Sequence, residues 1–191
     1  MLVGFFNLQM KHYSDDKLLD MFRDEDSRNY AYNLIVRKYQ ERLYWHIRRM
    51  VIVHEDADDV VQNTLIKAWK GLHKFKAEAK LYTWLYRIAT NEAITFLNKK
   101  KKKYLIPIVD VEHELSNALE SDENYSGDEI QLKLQKAILT LPEKQRIVFN
   151  MKYYDEMKYN QMATILETSV GALKASYHHA VKKIEKFITQ D

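Results

Sequence analysis

The 191-residue chain contains no cysteine. That excludes a disulfide framework, a thiolate metal site and a thiol nucleophile. Glycine and proline are scarce, four and two residues respectively, and no alternating apolar/polar run reaches a convincing strand length. Helices joined by short turns remain, and the fold class expected is all-α. No apolar run approaches the roughly 20 residues that a membrane-crossing helix needs. The opening segment, MLVGFFNLQMKHYS, has a short apolar patch but no charged n-region and no small-residue cleavage site. A secretory leader and membrane insertion are therefore not expected, and a cytoplasmic protein is the simplest inference. The net charge is only +3, so any affinity for nucleic acid must come from how charge is distributed. What the chain does have is an ordinary folded composition, 46% hydrophobic and 30% charged, enough for one or two domains.

The most informative stretch is Leu81–Lys103, LYTWLYRIATNEAITFLNKKKKK. At helical period Leu81, Trp84, Leu85, Ile88, Ala89 and Phe96 form an apolar stripe that must be buried. Tyr82, Tyr86, Arg87, Thr90 and Asn91 fall on the other side. Lys99–Lys103 add positive charge at the helix C-terminus, where the macrodipole favours cations. Rings that stack on bases beside charges that neutralise phosphates suit single-stranded nucleic acid. The plain structural alternative is an amphipathic helix with tyrosines at its rim and a solvated lysine tail.

Ser14, followed by Asp15 and Asp16, predicts a helix N-terminus. A longer helix follows from Arg28 to about Val51, with Ile35, Tyr39, Leu43 and Ile47 at four-residue spacing and Arg37, Lys38, Arg42, Arg48 and Arg49 on its other faces. His54–Asp59 reads as an acidic turn. The helix after it, roughly Ala57–Lys70, places Val61, Leu65, Ala68, Trp69 and Leu72 inside, with Gly71 as its C-terminal cap. Its outward face shows Asp59, Gln62, Asn63, Ile66 and Lys70. A solvated surface needs no isoleucine, so that face suits a protein partner. His73–Lys80 is a basic loop carrying Phe75 and Lys76. Residues 104–130 hold many acids and no Lys or Arg, and read as a flexible acidic linker with short helical turns near Leu115 and Leu119.

Helical period returns near Ile130 with Leu134, Ile138 and Leu141. Pro142 fits the first position of a further helix carrying Ile147, Val148 and Met151 inside. Two short helices close the chain: Tyr159–Leu166, then one capped by Ser169 and carrying Leu173, Tyr177, Ala180, Val181 and Ile184. Joined by about three residues, they form a helix-turn-helix pattern. The second exposes Lys174, His178, His179 and Lys182, donors suited to base edges and phosphates in a major groove.

Two sets of motifs carry a resemblance. Asp56-Ala-Asp-Asp-Val-Val-Gln62, Lys67-Ala-Trp69 and Tyr82-Thr-Trp-Leu-Tyr-Arg-Ile-Ala89 resemble the second region of bacterial sigma-70 family sigma factors. Leu141-Pro-Glu143 through Arg146, and Ser169-Val-Gly171 with Lys174, resemble their fourth region. Their occurrence together, in this order and at this length, is similar to the extracytoplasmic-function type. The resemblance covers about residues 14–103 and 131–188. It implies an N-terminal extension at 1–13, a region 2 helical domain at 14–103, a linker at 104–130 and a region 4 helix-turn-helix domain at 131–191.

The resemblance further implies a transcription initiation factor that is not an enzyme, needs no cofactor or metal and has no catalytic residue. It would bind core RNA polymerase, the clamp helices of the largest subunit through Asp59, Gln62, Asn63 and Ile66, and the flap of the second subunit. Phe75 and its loop, with Asn91 and Thr95, match positions that hold a base flipped from the −10 element of promoter DNA. Extrusion costs a few kcal/mol of stacking. Lys76, Tyr82, Tyr86, Arg87, Lys99 and Lys100 complete that expected contact. The −35 element would be read by Lys174, Ala175, His178 and His179, with Arg146, Lys152, Ser169 and Lys182 at the backbone. An anti-sigma factor is an expected partner. Glu156 and Glu167 stand where the family commonly has glycine, so those turns are expected to be built differently. Two other readings compete: a two-domain repressor or activator acting on duplex DNA without polymerase, and a metal-dependent enzyme built on Glu55, Asp56, Asp58 and Asp59. The first leaves the Leu81–Lys103 helix and the Asp59–Ile66 face unexplained. In the second, adjacent acids at a helix start also serve as dipole-compensating residues.

Overall fold

Ser14 opens the first helix as the sequence predicts: its hydroxyl accepts from the Lys17 N–H at 3.2 Å, and two acids occupy the first turn. The computed structural model describes residues 13–103 and 129–189, with side chains through residue 100 and from 129 onward. These residues form eight helices and no strand among the described residues. We number them α1 (Asp15–Arg23), α2 (Arg28–Val51), α3 (His54–Leu72), α4 (Leu81–Lys103), α5 (Glu129–Leu139), α6 (Glu143–Tyr153), α7 (Tyr159–Leu166) and α8 (Val170–Thr189). The readings placed on residues 1–12, on the turns near Leu115 and Leu119, and on most of the linker lie outside the described residues. Its last two positions, Glu129 and Ile130, begin α5.

The 24-residue α2 is the spine. Its stripe of Ile35, Tyr39, Leu43 and Ile47 is buried, and α1, α3 and α4 pack around it. Arg48, read as a surface cation, is buried with that stripe. Ile52 ends α2 at φ 66°, a left-handed conformation that strains a β-branched residue. Its N–H donates to Arg48 O at 2.8 Å and its side chain is wholly buried.

Two readings of α3 need correction. The acidic stretch starting at His54 is its first turn, not a separate loop. Its buried stripe is Ala57, Val60, Thr64, Ala68 and Leu72, centred one residue earlier than predicted, so that Val61 and Leu65 are half-buried and Trp69 stands at the rim. Thr64 is tolerated inside because its hydroxyl donates to Val60 O at 2.7 Å within the helix. Gly71 is no cap either. It lies within the last turn without a left-handed backbone, and a Cβ there would sit 3.1 Å from the Trp84 ring. Glycine is present because α4 approaches closely.

In the second half, α5, α6 and α8 enclose Ala137, Ile138, Leu141, Phe149, Ala180 and Ile184. Phe149 lies stacked between Tyr153 and Tyr177, with centroids at 5.2 and 5.8 Å. Pro142 is the N-cap of α6 rather than its first residue. α7 appears at its predicted limits, whereas α8 starts where predicted but is a 20-residue helix and not a short one; Ser169 caps α8 by accepting from the Ala172 N–H at 3.2 Å. The two halves share one buried cluster: Ile147, Val148, Met151, Met162, Ile165 and Leu173 pack with the core of α1–α4.

Deleting the Leu43 side chain, which is 0% exposed, should lower the unfolding free energy by about 2–5 kcal/mol. Ile66→Ala, at a residue 52% exposed, should change it by less than about 0.5 kcal/mol. Urea denaturation followed by circular dichroism measures both.

Candidate nucleic-acid interface

On α4 the side chains of Arg87, Asn91, Thr95 and Lys99 recur every four residues and all are exposed, forming one polar row along the helix. Lys76 is exposed in the loop before α4, and Phe75 is half-buried there with its ring 5.2 Å from that of Trp84. The row presents a guanidinium, an amide, a hydroxyl and an ammonium in sequence. Lys100, one position off it, is tied to Asp56 at the start of α3 at 2.8 Å.

The predicted outward face is only partly free. Tyr86 is 2% exposed and Thr90 is 0% exposed; Tyr82 is half-buried, its ring 4.3 Å from that of Tyr86. Helical period assigns these residues to one side correctly, but that side meets α2 and the second half of the chain instead of solvent. The Tyr86 hydroxyl donates to Arg42 O at 3.3 Å. Burial, and then the negative charge of Asp155, pushes the Tyr86 phenol well above the ordinary range, so it serves as a neutral donor. Burial likewise raises Tyr82.

Beneath Tyr86 lies a polar cluster that the sequence reading missed. His46, on α2, is 1% exposed. Its Nδ1 lies 2.7 Å from Asp155 Oδ2 and its Nε2 lies 3.0 Å from Thr90 Oγ1. Thr90 Oγ1 donates its own proton to Tyr86 O at 2.7 Å, so both ring nitrogens face acceptors. Arg49 donates to Asp155 Oδ1 at 3.2 Å, and its guanidinium lies 4.5 Å from the centre of the Tyr154 ring. Asn150 Nδ2 donates to Arg49 O at 3.3 Å. Asp155, in the turn after α6, therefore joins the two halves. His46 and Asp155 are 109 positions apart, so no local spacing reveals them. The available signal was a titratable side chain on the apolar stripe of α2, three residues after Leu43.

A second contact joins α4 to the end of α7, where Arg87 donates to Glu167 Oε1. Glu156 and Glu167 each have φ 51°. The expectation that replacing glycine changes these turns is not met in backbone terms: both stay left-handed, with glutamates held where glycine is favoured. Beside the first contact a cleft of about 550 Å³ opens, lined by Arg42, Trp45, Arg49, Tyr82, Tyr86 and Glu156 among others.

On α8, Lys174, Ala175, His178, His179 and Lys182 are all exposed, as a helix that reads DNA edges requires. Lys174 and Lys152 both place their ammonium near the Tyr159 ring, at 5.9 and 5.4 Å, and Lys152 also donates to Met157 O at 3.3 Å. Tyr159, not singled out from sequence, thus adds a ring to the basic side of the helix-turn-helix. Burial is the first cause of its raised phenol pKa. Arg146 is a correction. It is 6% exposed and donates to Leu139 O at 3.4 Å, satisfying a carbonyl at the end of α5 rather than facing DNA. Ser169 is exposed but occupied as a cap.

Asp59, Gln62, Asn63 and Ile66 are all exposed along α3. Of the acids considered for metal, Asp56 is paired with Lys100, and Asp58 lies 3.6 Å from His54. Among the described residues no group of three or more His, Asp or Glu is placed to hold a metal ion. No helix of the described residues is long and apolar enough to cross a membrane.

Comparison with known proteins agrees with these two halves. Residues 35–103 match the Sigma-70 region 2 family and residues 131–184 match Sigma-70, region 4. The RNA polymerase sigma-H factor of Pseudomonas aeruginosa is 30% identical over 90% of this chain and 92% of its own length. The ECF RNA polymerase sigma factor SigW of Bacillus subtilis is 31% identical over 82% of this chain and 88% of its own. Two solved structures share the fold at 21% identity. One is the sigma factor RpoE in complex with the anti-sigma factor NepR from Bartonella quintana, with a TM-score of 0.64 over 83% of this chain and 97% of that one. The other is CnrH in complex with the cytosolic domain of CnrY, with a TM-score of 0.67 over 91% and 96%. The chain belongs to the extracytoplasmic-function group of the sigma-70 family, transcription initiation factors that direct RNA polymerase to promoters.

Proposed function

We propose that residues 14–103 and 131–191 act as separate promoter-reading domains on the 104–130 linker, the first gripping the −10 element and the second reading the −35 duplex. The observation that carries this is the pair of exposed, donor-rich helix faces: Arg87, Asn91, Thr95 and Lys99 on α4, and Lys174, His178, His179 and Lys182 on α8. The α4 row offers charge to phosphates and an amide to a base, with Phe75 and Lys76 at its approach. The α8 row offers cations and imidazoles to a major groove, with Ala175 leaving room for a thymine methyl. Lys152 and Ser169 stand at its backbone margin. Arg146 is left out of this assignment because it is buried, and Tyr86 enters it only as a support for the α4 row. The protein acts without catalysing a covalent step and works in the cytoplasm, where polymerase and promoter meet. Asp59, Gln62, Asn63 and Ile66 dock on the clamp helices of the largest polymerase subunit, the second domain meets the flap of the second subunit, and an anti-sigma factor is a fitting regulator. Added to purified bacterial core polymerase with a promoter library, the chain should produce initiation at a defined subset. Core enzyme that stays silent on every template refutes the proposal.

Two substitutions separate the readers. Lys174→Ala should weaken binding to −35 duplex by about 1–3 kcal/mol if the ammonium meets a base edge, read by fluorescence anisotropy at fixed salt. Asn91→Ala should slow promoter melting, followed by a fluorescent base analogue in the −10 element, while core binding stays within about twofold of wild type, since a single exposed amide contributes little elsewhere.

A further inference from the structure

The cleft of about 550 Å³ beside Asp155 suits an occupant that is aromatic and carries positive charge. Glu41, Arg42, Trp45 and Tyr82 line it from the first half, and Tyr154 and Glu156 from the second. It continues past Trp45, Arg49 and Tyr154 into a further space of about 420 Å³ that reaches Leu134 and Tyr153. Rings that accept other rings edge-on or offset are therefore present along its whole length. Among the charged lining residues, Arg49 and Asp155 are paired at 3.2 Å. That leaves Glu41 and Glu156 against Arg42, two carboxylates to one cation.

The start of the described chain lies next to this cleft. Tyr13 O accepts from Lys38 Nζ at 3.2 Å, and Asp15 accepts from the Tyr39 hydroxyl at 2.7 Å. The Tyr39 ring lies 6.4 Å from the ring of Tyr82, itself a lining residue of the cleft. On α2, Glu41, Arg42 and Trp45 follow Lys38 at the spacing that keeps them on its face of the helix. Lys38 to Trp45 is about 10 Å along the helix axis. The residues before Tyr13 read MLVGFFNLQMKH, with Phe5 and Phe6 among their apolar side chains, Lys11 and no acid. Twelve extended residues span up to about 40 Å, so their length does not limit where they reach. We propose that residues 1–12 seat in the cleft, Phe5 and Phe6 against Trp45 and the tyrosine rings, and Lys11 beside Glu41. The 104–128 segment is the other tethered candidate, since α5 follows it and Leu134 lines the far end of the groove. Its acids and its lack of Lys and Arg set it against a lining in which carboxylates already outnumber free cations. The cleft draws residues from both halves, so the seated segment touches both at once.

The test is a paramagnetic NMR experiment on the full chain. Because the chain lacks native cysteine, Asn7→Cys carries a single nitroxide, and the indole N–H signals of the three tryptophans report where it lies. Trp45 lines the cleft. Trp69 packs on Phe22 and Tyr32, and Trp84 on Phe75, so both serve as internal references. The expected result is strong broadening of the Trp45 signal alone, lost when Phe5 and Phe6 are both replaced by serine. Glu41→Gln, at an exposed position, should lower the ratio of seated to unseated chain about 1.5- to 5-fold. Glu41→Lys should lower it further, and adding Lys11→Glu should bring it back, which a general loss of fold would not do. Equal broadening of the three signals, or none, overturns the proposal, and so does Trp45 broadening that survives the two serines. A ratio indifferent to Glu41→Lys overturns the pairing with Lys11. Isotope-labelled chain without the nitroxide, mixed with nitroxide-bearing chain of natural isotopes, tests for a second copy. Broadening of Trp45 in that mixture gives the seat to another molecule and overturns the assignment to the chain's own segment. A nitroxide on Ser121→Cys that broadens Trp45 where the one at position 7 does not gives the cleft to the 104–128 segment, and overturns it equally.

Discussion

A carboxylate taken out of water fixes how this molecule is put together. Removing an ion from solvent costs several kcal/mol unless partners replace its hydration. Asp155 finds both partners, His46 and Arg49, on α2, and its own N–H donates to Asn150 O at 3.2 Å. The apolar cluster that runs from Leu18 to Leu173 supplies attraction between the halves, but burial of apolar surface is non-directional. Many seatings of α6 and α7 against α2 and α4 would cover similar area. Only one puts an acid turn between His46 and Arg49 while Asn150 reaches the Arg49 carbonyl. The charged cluster therefore sets the register that the hydrophobic contact leaves open, and the position of Tyr86 follows from it.

The elements were legible because each helix shows its own period and its own ends. Ser14 and Ser169 cap as their side chains dictate, and the Leu81–Lys103 helix begins and ends where its sequence says. Several of the differences follow from one fact, that a polar side chain need not be an exposed one. Thr64 and Thr90 satisfy their hydroxyls on carbonyls one turn back in their own helices, so they pack as small apolar residues. Arg146 spends its guanidinium on the end of α5. Tyr86 is covered by α2 and by a turn some 70 residues later in the chain, which no helical wheel can show. The α8 face was legible because its polar side chains are exposed among the described residues.

The turns at Glu156 and Glu167 show how a local rule can be broken without changing the backbone. Both keep the left-handed geometry that glycine accepts most readily. A side chain there costs of order 1 kcal/mol, so the turn is paid for by other parts of the fold. At the Glu167 turn the Thr168 N–H still reaches Ala163 O at 3.3 Å. At the Glu156 turn the Met157 N–H reaches Met151 O at 3.0 Å, and Met157 itself is buried. The geometry is held by its hydrogen bonds and by anchors on either side, which frees the glutamates to point away. Glu167 points at Arg87 and Glu156 lines the cleft next to Asp155.

A net charge of +3 looks small for a chain that handles a polyanion. The pairings resolve this. Arg87, Arg49, Lys100, Lys67 and Lys38 are each matched by an acid from elsewhere in the chain. Most of these pairs are partly exposed and individually weak, so a denser anion can displace their acids at modest cost. DNA supplies that density, and it also releases its counterions on binding, a gain that an isolated carboxylate does not offer.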